Sequence, residues 1–322
     1  MKLPSRQKEK VVSVIGPTAV GKTELSLQIA KRFNGEIISG DSMQIYRGMD
    51  IGTAKIKPSE MQGVPHHLLS FKDPRESFSV AEYQKVVREK IKEVQSRGHL
   101  PILVGGTGLY IQSVLYDYQF SDAPADPSFR KRMEEKVQSG EAMNLYNQLE
   151  AVDPDAADKI HPNNHRRVIR ALEIFHCTGK TMTEFQKKQQ NIPLYQDVLI
   201  GLTMDREILY QRIDHRVDIM MEEGLVQEVS DLMNNGLHRE HQSMKAIGYK
   251  EIADYLEKRT SYEEALTLLK KNSRHYAKRQ LTWFRNKMEA EWFDLTDQRE
   301  DWKKIAGIID FIAGKLELKS NN

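Results

Sequence analysis

Gly16, Pro17, Thr18, Ala19, Val20, Gly21, Lys22 and Thr23 place a lysine and a hydroxyl directly behind a glycine-bounded loop. The spacing is G-x-x-x-x-G-K-[ST], and its chemistry is phosphate binding. The glycines let backbone approach phosphate oxygens, which loop N–H groups and the positive end of a following helix can wrap. Lys22 adds a point charge and the Thr23 hydroxyl can ligate Mg2+. A di- or triphosphate ligand is therefore expected, with Lys22 and Thr23 in the catalytic machinery. Asp41 is the second candidate, at the end of the run Ile37, Ile38, Ser39, Gly40. A carboxylate there can help hold magnesium or take a proton from an attacking nucleophile, or it can cap the next turn. The loop alone does not separate hydrolases, kinases and other transferases. The guanine-reading pattern Asn-Lys-x-Asp is absent, because Asn286 and Lys287 run on to Met288 and Glu289, which argues against an ordinary GTPase.

These residues need a sheet to hold them. Val11 to Ile15 is a short apolar run before the loop, and Leu25, Ile29 and Phe33 recur at helical spacing after it. Glu36 to Ser39 reads as a second strand. Ser79 to Arg97 reads as a helix with a Ser79/Glu82 capping box and Gly98 at its end. Ile102 to Val104 is a further strand leading into Gly105, Gly106, Thr107 and Gly108. From about Asp122 to Ile192 strand signals vanish, and helical segments are punctuated by Pro124, Pro127, Pro154, Pro162 and Gly179. Val198 to Thr203 returns to the sheet, and the chain then reads as helical nearly to its end. Ser261 and Glu264 cap one long helix, and Lys319 to Asn322 read as a frayed tail. The fold class is α/β: a P-loop NTPase-like parallel sheet flanked by helices, with an all-helical insertion and a helical C-terminal region. Residues 1–121 form the first part of the core, 122–195 the insertion, and 196–322 the completion of the core with its C-terminal helices.

Composition narrows the classes. With 39% hydrophobic and 29% charged residues, the chain is neither disordered nor fibrous. The apolar stretch behind the basic start, Val11 to Ile15, is too short for a signal peptide or a membrane span, so a cytoplasmic protein without membrane contact is expected. One cysteine, Cys177, rules out an intramolecular disulfide and reads as a small buried hydrophobe. Net charge is only +2, but its distribution is uneven. Lys159, Arg166, Arg167 and Arg170 stand together without an acid. So do Lys270, Lys271, Arg274, Lys278, Arg279, Arg285 and Lys287, on one predicted helix. Such blocks suit nucleic-acid backbone, with Trp283 and Phe284 able to stack on bases or pack in the core. His66 and His67 lack a spaced ligand set, so structural roles are expected for both.

Asp41, Ser42, Met43, Gln44, Ile45, Tyr46, Arg47 and then Asp50, Ile51, Gly52, Thr53, Ala54, Lys55 compose a longer pattern. It resembles the tRNA dimethylallyltransferases. The resemblance continues through Pro65 to Leu68, Gly105 to Tyr110, Arg170 to Glu173, Ala246 to Tyr249 and Lys278 to Arg285, in order over most of the chain. The amino-terminal half is also similar to adenylate isopentenyltransferases, which keep the loop but act on free nucleotides. A P-loop kinase or an RNA-binding ATPase is the reading that the loop alone would support.

The resemblance implies transfer of a dimethylallyl group from dimethylallyl diphosphate to the N6 amine of the adenine immediately 3′ of the anticodon. The loop Gly16 to Thr23 would hold pyrophosphate, with Arg216 as a further contact and Mg2+ on Thr23. Asp41 would orient the amine and take its proton. Asp41, Ser42, Met43, Gln44 and Thr107 would meet the flipped base and its neighbours. Arg166, Arg167, Val168, Ile169, Arg170, Lys245, Gly248, Tyr249, Lys250, Lys278, Arg279, Gln280, Trp283 and Arg285 would grip the tRNA anticodon stem-loop. Lys245 and Lys250 stand where relatives often carry arginine, so they supply charge without the bidentate fork. Action as a monomer is expected.

Overall fold

The computed structural model describes residues 8–120, 126–187, 192–297 and 301–318. Pro124, the 121/122 boundary and the tail from Lys319 lie outside them. The chain forms two compact units, one of Met1–Tyr116 with Pro193–Asn322 and one of Asp117–Ile192.

The first unit is built on a parallel sheet ordered β3-β2-β4-β1-β5-β6. Its strands are β1 (Lys10–Ile15), β2 (Gly35–Ser39), β3 (His66–His67), β4 (Leu100–Gly105), β5 (Gln196–Thr203) and β6 (Glu291–Asp294). Val11 and Ile15 enter one hydrophobic core while Val12 and Val14 enter the other, the alternation of a strand covered on both faces. The helices of this unit are α1 (Lys22–Phe33), α2 (Val80–Ser96) and α3 (Gly108–Leu115). The helical unit supplies α4 (Pro127–Gln138), α5 (Ala142–Val152), α6 (Pro154–Lys159), α7 (His165–Thr178) and α8 (Met182–Lys187). The first unit then resumes with α9 (Arg206–Glu222), α10 (Leu225–Asn234), α11 (Tyr249–Leu256), α12 (Tyr262–Lys287) and α13 (Asp301–Leu316). Tyr83, Val87 and Ile91 of α2, Ile111 of α3 and Phe284 of α12 fill one core. Leu25 and Ile29 of α1, Ile213 of α9 and Ile308 of α13 fill the other.

Strand order decides what meets at the carboxyl edge. β4 lies between β1 and β2, with Ile15 level with Gly105 and Ser39 level with Val104. The Gly105–Gly108 turn therefore emerges between the phosphate loop and Asp41, the edge where parallel α/β sheets bind ligands. The capping boxes form as expected: Ser79 with Glu82 on α2, and Ser261 with Glu264 on α12.

In the helical unit Pro127 and Pro154 occupy first turns, where a missing N–H costs nothing, and Gly179 ends α7 at φ 67°. Glu173, fully buried, accepts from Arg130 and from Arg170 at 2.6 Å.

Two expectations need correction. The chain after β5 is not purely helical, because Glu291–Asp294 pairs with β5 as β6. Four residues without an apolar run carry little strand signal, and the neighbouring edge supplies the pairing. Cys177 is half-buried rather than fully buried, since it sits on the outer side of α7 near its end. Among the described residues no helix is long and apolar enough to cross a membrane.

Candidate active site

β1 ends at Ile15 and the chain turns at Gly16, φ 149°, where a Cβ would stand 2.7 Å from the Leu202 carbonyl. Only glycine fits so close to β5, and the loop then runs into α1 at Lys22. The Lys22 ammonium donates to the carbonyls of Gly16 at 3.0 Å and Pro17 at 2.6 Å. Burial lowers its pKa to about 7, the nearby Arg216 guanidinium adds to the shift, and the Asp41 charge opposes it. Arg216, on α9, brings Nη1 to 3.5 Å from the Thr18 hydroxyl. Its own pKa is lowered by burial and by Arg212, against the pull of Asp41 and Glu60. The cradle thus concentrates positive charge that an anion would relieve. Thr23 is exposed at the first turn of α1.

Across the edge, Asp41 follows β2. Its Oδ1 accepts the N–H groups of Met43 at 2.8 Å and Gln44 at 3.3 Å, an Asx turn that fixes the carboxylate. The turn uses one oxygen and leaves Oδ2 for another partner. Ser42 N–H donates to the Thr107 hydroxyl at 3.3 Å, tying the Asp41 turn to the β4–α3 turn. The Gln44 carboxamide ties into the protein itself. Its Oε1 accepts from Ser39 and its Nε2 donates to the carbonyls of Thr53 and Ala54, so the carboxamide is spent holding the loop. Behind Thr23 a cavity of about 50 Å³ runs between Ile37, Ala54, Ile56 and Val104, with Ser39 and Gln44 on its wall.

Distant residues brace this region. The Glu228 carboxylate on α10 accepts the N–H groups of Asp50, Ile51 and Gly52 at 2.8–3.1 Å and the Tyr249 hydroxyl at 2.6 Å. Gln280 on α12 accepts the Thr18 N–H and donates to the Gly106 carbonyl, both at 2.9 Å. Neither bracing role was legible in the sequence. A carboxamide among cations at Gln280 was the one available signal.

The expected RNA contacts divide. Lys245, Lys278, Arg279 and Arg285 are exposed, and Lys250 leans on Glu251 at 3.3 Å. Arg285 stacks over Trp292, and Trp283 is half-buried beside Gly108. Lys270 and Arg274 pair with Asp218 and Asp214 of α9, which leaves the C-terminal part of α12 as the open basic stretch. In the helical unit Arg166 and Arg167 are exposed at the start of α7. Val168, Ile169, Gly248, Tyr249 and Gln280 are corrected: all five are buried, so they shape the surface rather than offering side chains to RNA. The histidines are structural as expected: His67 bonds Glu36, and His66 bonds the Val64 carbonyl.

The model of the IPP transferase family matches residues 44–287. A tRNA dimethylallyltransferase of Bacillus cytotoxicus is 60% identical over 320 residues, covering 99% of this chain and 100% of the relative. One of Geobacillus thermodenitrificans is 57% identical, covering 97% and 99%. Among solved structures, the tRNA isopentenylpyrophosphate transferase of Bacillus halodurans has 55% identity and TM-score 0.74, covering 96% of this chain and 97% of its own. A eukaryotic dimethylallyltransferase solved acting on tRNA has 33% identity and TM-score 0.80, covering 95% and 80%. The phosphate cradle, the facing carboxylate and these matches together establish that the chain belongs to the IPP transferase family of tRNA dimethylallyltransferases.

Proposed function

We propose that this protein transfers a dimethylallyl group from dimethylallyl diphosphate to the N6 amine of the adenine immediately 3′ of the anticodon in tRNA. The observation that carries the reading is the strand order: the phosphate loop follows β1 and Asp41 follows β2, on either side of the β4 turn that Ser42 bonds, so an anion cradle and a carboxylate share one sheet edge.

The chemistry follows from that opposition. The bond between the allylic carbon and the diphosphate oxygen breaks as the N6–carbon bond forms. The loop amides, Lys22 and Arg216 hold the departing pyrophosphate, which lowers the cost of its developing charge. Asp41 accepts the amine proton on Oδ2 while Oδ1 stays in its turn. An aryl amine is a poor nucleophile in water, so orientation by Asp41 and exclusion of water matter as much as basicity. The cavity beside Thr23, lined by Ile37, Ala54, Ile56 and Val104 together with Ser26, Ser39, Gln44 and His66, lies next to the cradle where the donor would sit.

The Thr23 hydroxyl is a hard oxygen donor of the kind Mg2+ takes, and Thr23 would hold the ion. An ion held there would supply charge neutralisation for the diphosphate.

The acceptor adenine leaves its stack to reach the edge, where Ser42, Met43 and Thr107 border it. Arg166, Arg167 and Arg170 of the helical unit, with Lys245, Lys250, Lys278, Arg279 and Arg285, bind the anticodon stem-loop through its backbone. One copy carries the cradle, the carboxylate and the basic segments, which supports action as a monomer, and tRNA as substrate supports a cytoplasmic site of action.

The test is mass spectrometry of an unmodified anticodon stem-loop incubated with the protein, magnesium and dimethylallyl diphosphate. A gain of one dimethylallyl unit on the adenine 3′ of the anticodon, abolished by Asp41→Ala, is expected. No gain with RNA binding intact would overturn the reading.

A further inference from the structure

Asp50, Ile51 and Gly52 present successive backbone N–H groups to one carboxylate. Glu228 Oε2 accepts those of Asp50 at 2.9 Å and Ile51 at 2.8 Å, while Oε1 accepts that of Gly52 at 3.1 Å and the Tyr249 hydroxyl at 2.6 Å. Only donors converge on the two oxygens. An ionised carboxylate offers about four acceptor sites and no proton of its own, so this set calls for a carboxylate. Glu228 stands in the first turn of α10, where the helix dipole favours its charge. The Tyr249 ring closes the segment from α11: a Cβ on Gly52 would stand 2.5 Å from it, and Tyr249 is fully buried.

The clamp continues past Gly52. The carbonyls of Thr53 and Ala54, the next two residues, accept from Gln44 Nε2 at 3.2 and 3.4 Å. Gln44 Oε1 accepts from the Ser39 hydroxyl at 3.2 Å, and Ser39 Oγ in turn accepts the Asp41 N–H at 3.3 Å. The Gln44 N–H goes to Asp41 Oδ1. Asp41 is therefore held at its amide by Ser39 and at its carboxylate by the Gln44 backbone, and the Gln44 side chain links both to residues 53 and 54. Lys55 Nζ closes the far end of the segment, donating to the Tyr46 carbonyl at 2.7 Å, to Asp50 Oδ1 at 2.6 Å and to the Ser70 hydroxyl at 2.7 Å. Every residue on this path lies outside the phosphate loop, which Gln280 holds separately.

We propose that Glu228 is a positioning residue: by clamping residues 50–52 it holds Thr53 and Ala54 where Gln44 meets them, and through Gln44 it fixes the Asp41 carboxylate. Gln280 braces the leaving-group side of the site and Glu228 the acceptor side, so the two sides are held by separate elements. This rests on the transfer reaction proposed above only for its kinetic consequence, and its structural content stands apart from it.

The experiment compares full-length wild type with Glu228→Gln, Tyr249→Phe and Asp231→Asn, the last removing an exposed carboxylate one turn along α10. Hydrogen exchange read by mass spectrometry needs no turnover. In Glu228→Gln the new amide can replace Oε2 but sets a donor against the Gly52 N–H. Exchange should rise about tenfold over residues 50–54 and over 41–46, and stay unchanged over 10–15. The Kd for inorganic pyrophosphate, read by calorimetry, should stay unchanged because Gln280 still holds the loop, while kcat of transfer falls about tenfold. A merely stabilising carboxylate would lower Tm and leave the kcat of folded protein where it was. Tyr249→Phe removes one of the converging donors and should raise exchange over both segments about threefold. Asp231→Asn should match wild type throughout. Unchanged exchange over 41–46 in Glu228→Gln, a rise spread along the whole chain, pyrophosphate affinity falling in step with kcat, or equal losses in Asp231→Asn would overturn the proposal. If Glu228→Gln fails to fold, Tyr249→Phe decides: a rise over 41–46 supports the proposal and no rise overturns it. Absence of transfer by the wild type would instead sink the transferase reading and leave exchange and pyrophosphate binding to decide this one.

Discussion

The carboxamide of Gln280 accepts the Thr18 N–H at 2.9 Å across a sequence separation of 262 residues, joining the C-terminal long helix to the phosphate loop. The same group donates to the Gly106 carbonyl, so removing it strands one donor and one acceptor. Gln280→Leu should weaken pyrophosphate binding about tenfold, the worth of a partly buried hydrogen bond. Isothermal titration calorimetry checks this, and an unchanged Kd would show that the loop holds its shape unaided.

Lys22 titrates near 7 in the free protein because burial and Arg216 work against its charge. A bound pyrophosphate favours the charged form. Binding at about pH 8 should therefore take up close to one proton at this site, and at about pH 6, where Lys22 is already charged, almost none. Calorimetry in buffers of different ionisation enthalpy measures the uptake. Lys22→Met, compared in parallel, removes the component and corrects for the protons of pyrophosphate itself.

Glu36 is buried at 2% exposure and accepts from Arg97 at 2.6 Å and from His67 and His99 at 2.5 Å. Burial alone would raise its pKa, but these bonds, that of Arg97 first, hold it at about 2. A depressed folded-state pKa stabilises above the unfolded value near 4.5, and that stabilisation is lost as pH falls through about 2. Glu36→Gln, which removes the buried carboxylate that Arg97, His67 and His99 share and leaves Arg97 with Glu93 alone, should cost about 3 kcal/mol at neutral pH, with the difference from wild type shrinking below about pH 4. Urea denaturation across that range is the measurement.

Tyr46 is fully buried beneath the Asp41 segment, and its hydroxyl has no hydrogen-bond partner among the described residues. Its phenol stays neutral, its pKa pushed up to about 12 by burial and by Glu82 and Glu76. Tyr46→Phe removes an unpaired polar group without leaving a void, so it should be neutral or stabilise by up to about 1 kcal/mol. Thermal unfolding tests this, and a marked drop in Tm would mean that the hydroxyl has a partner in solution.

The features legible in the sequence were those whose cause is local. The phosphate loop is eight consecutive residues between a strand and a helix, and each capping box spans four residues. The bonds of Gln44, Glu228 and Tyr249 were hidden because their partners come from other segments: the Gln44 carboxamide meets Ser39, Thr53 and Ala54, and Glu228 meets Asp50, Ile51, Gly52 and Tyr249. The basic helix misled in the same way, since charge counted along the chain does not reveal that Asp214 and Asp218 face Arg274 and Lys270.

By itself the sequence determined the phosphate-loop motif between strand and helix, the alternation of strand and helix, and the carboxylate at the end of β2, because backbone geometry and strand periodicity act over a few residues. Tertiary structure alone decided that β4 separates the loop from Asp41, that Arg216 lies beside Thr18, and that Gln280 of α12 bridges the phosphate loop and the β4 turn. Those are long-range pairings, and they follow from how buried strands order themselves in a sheet and which helix face is left to cover its end.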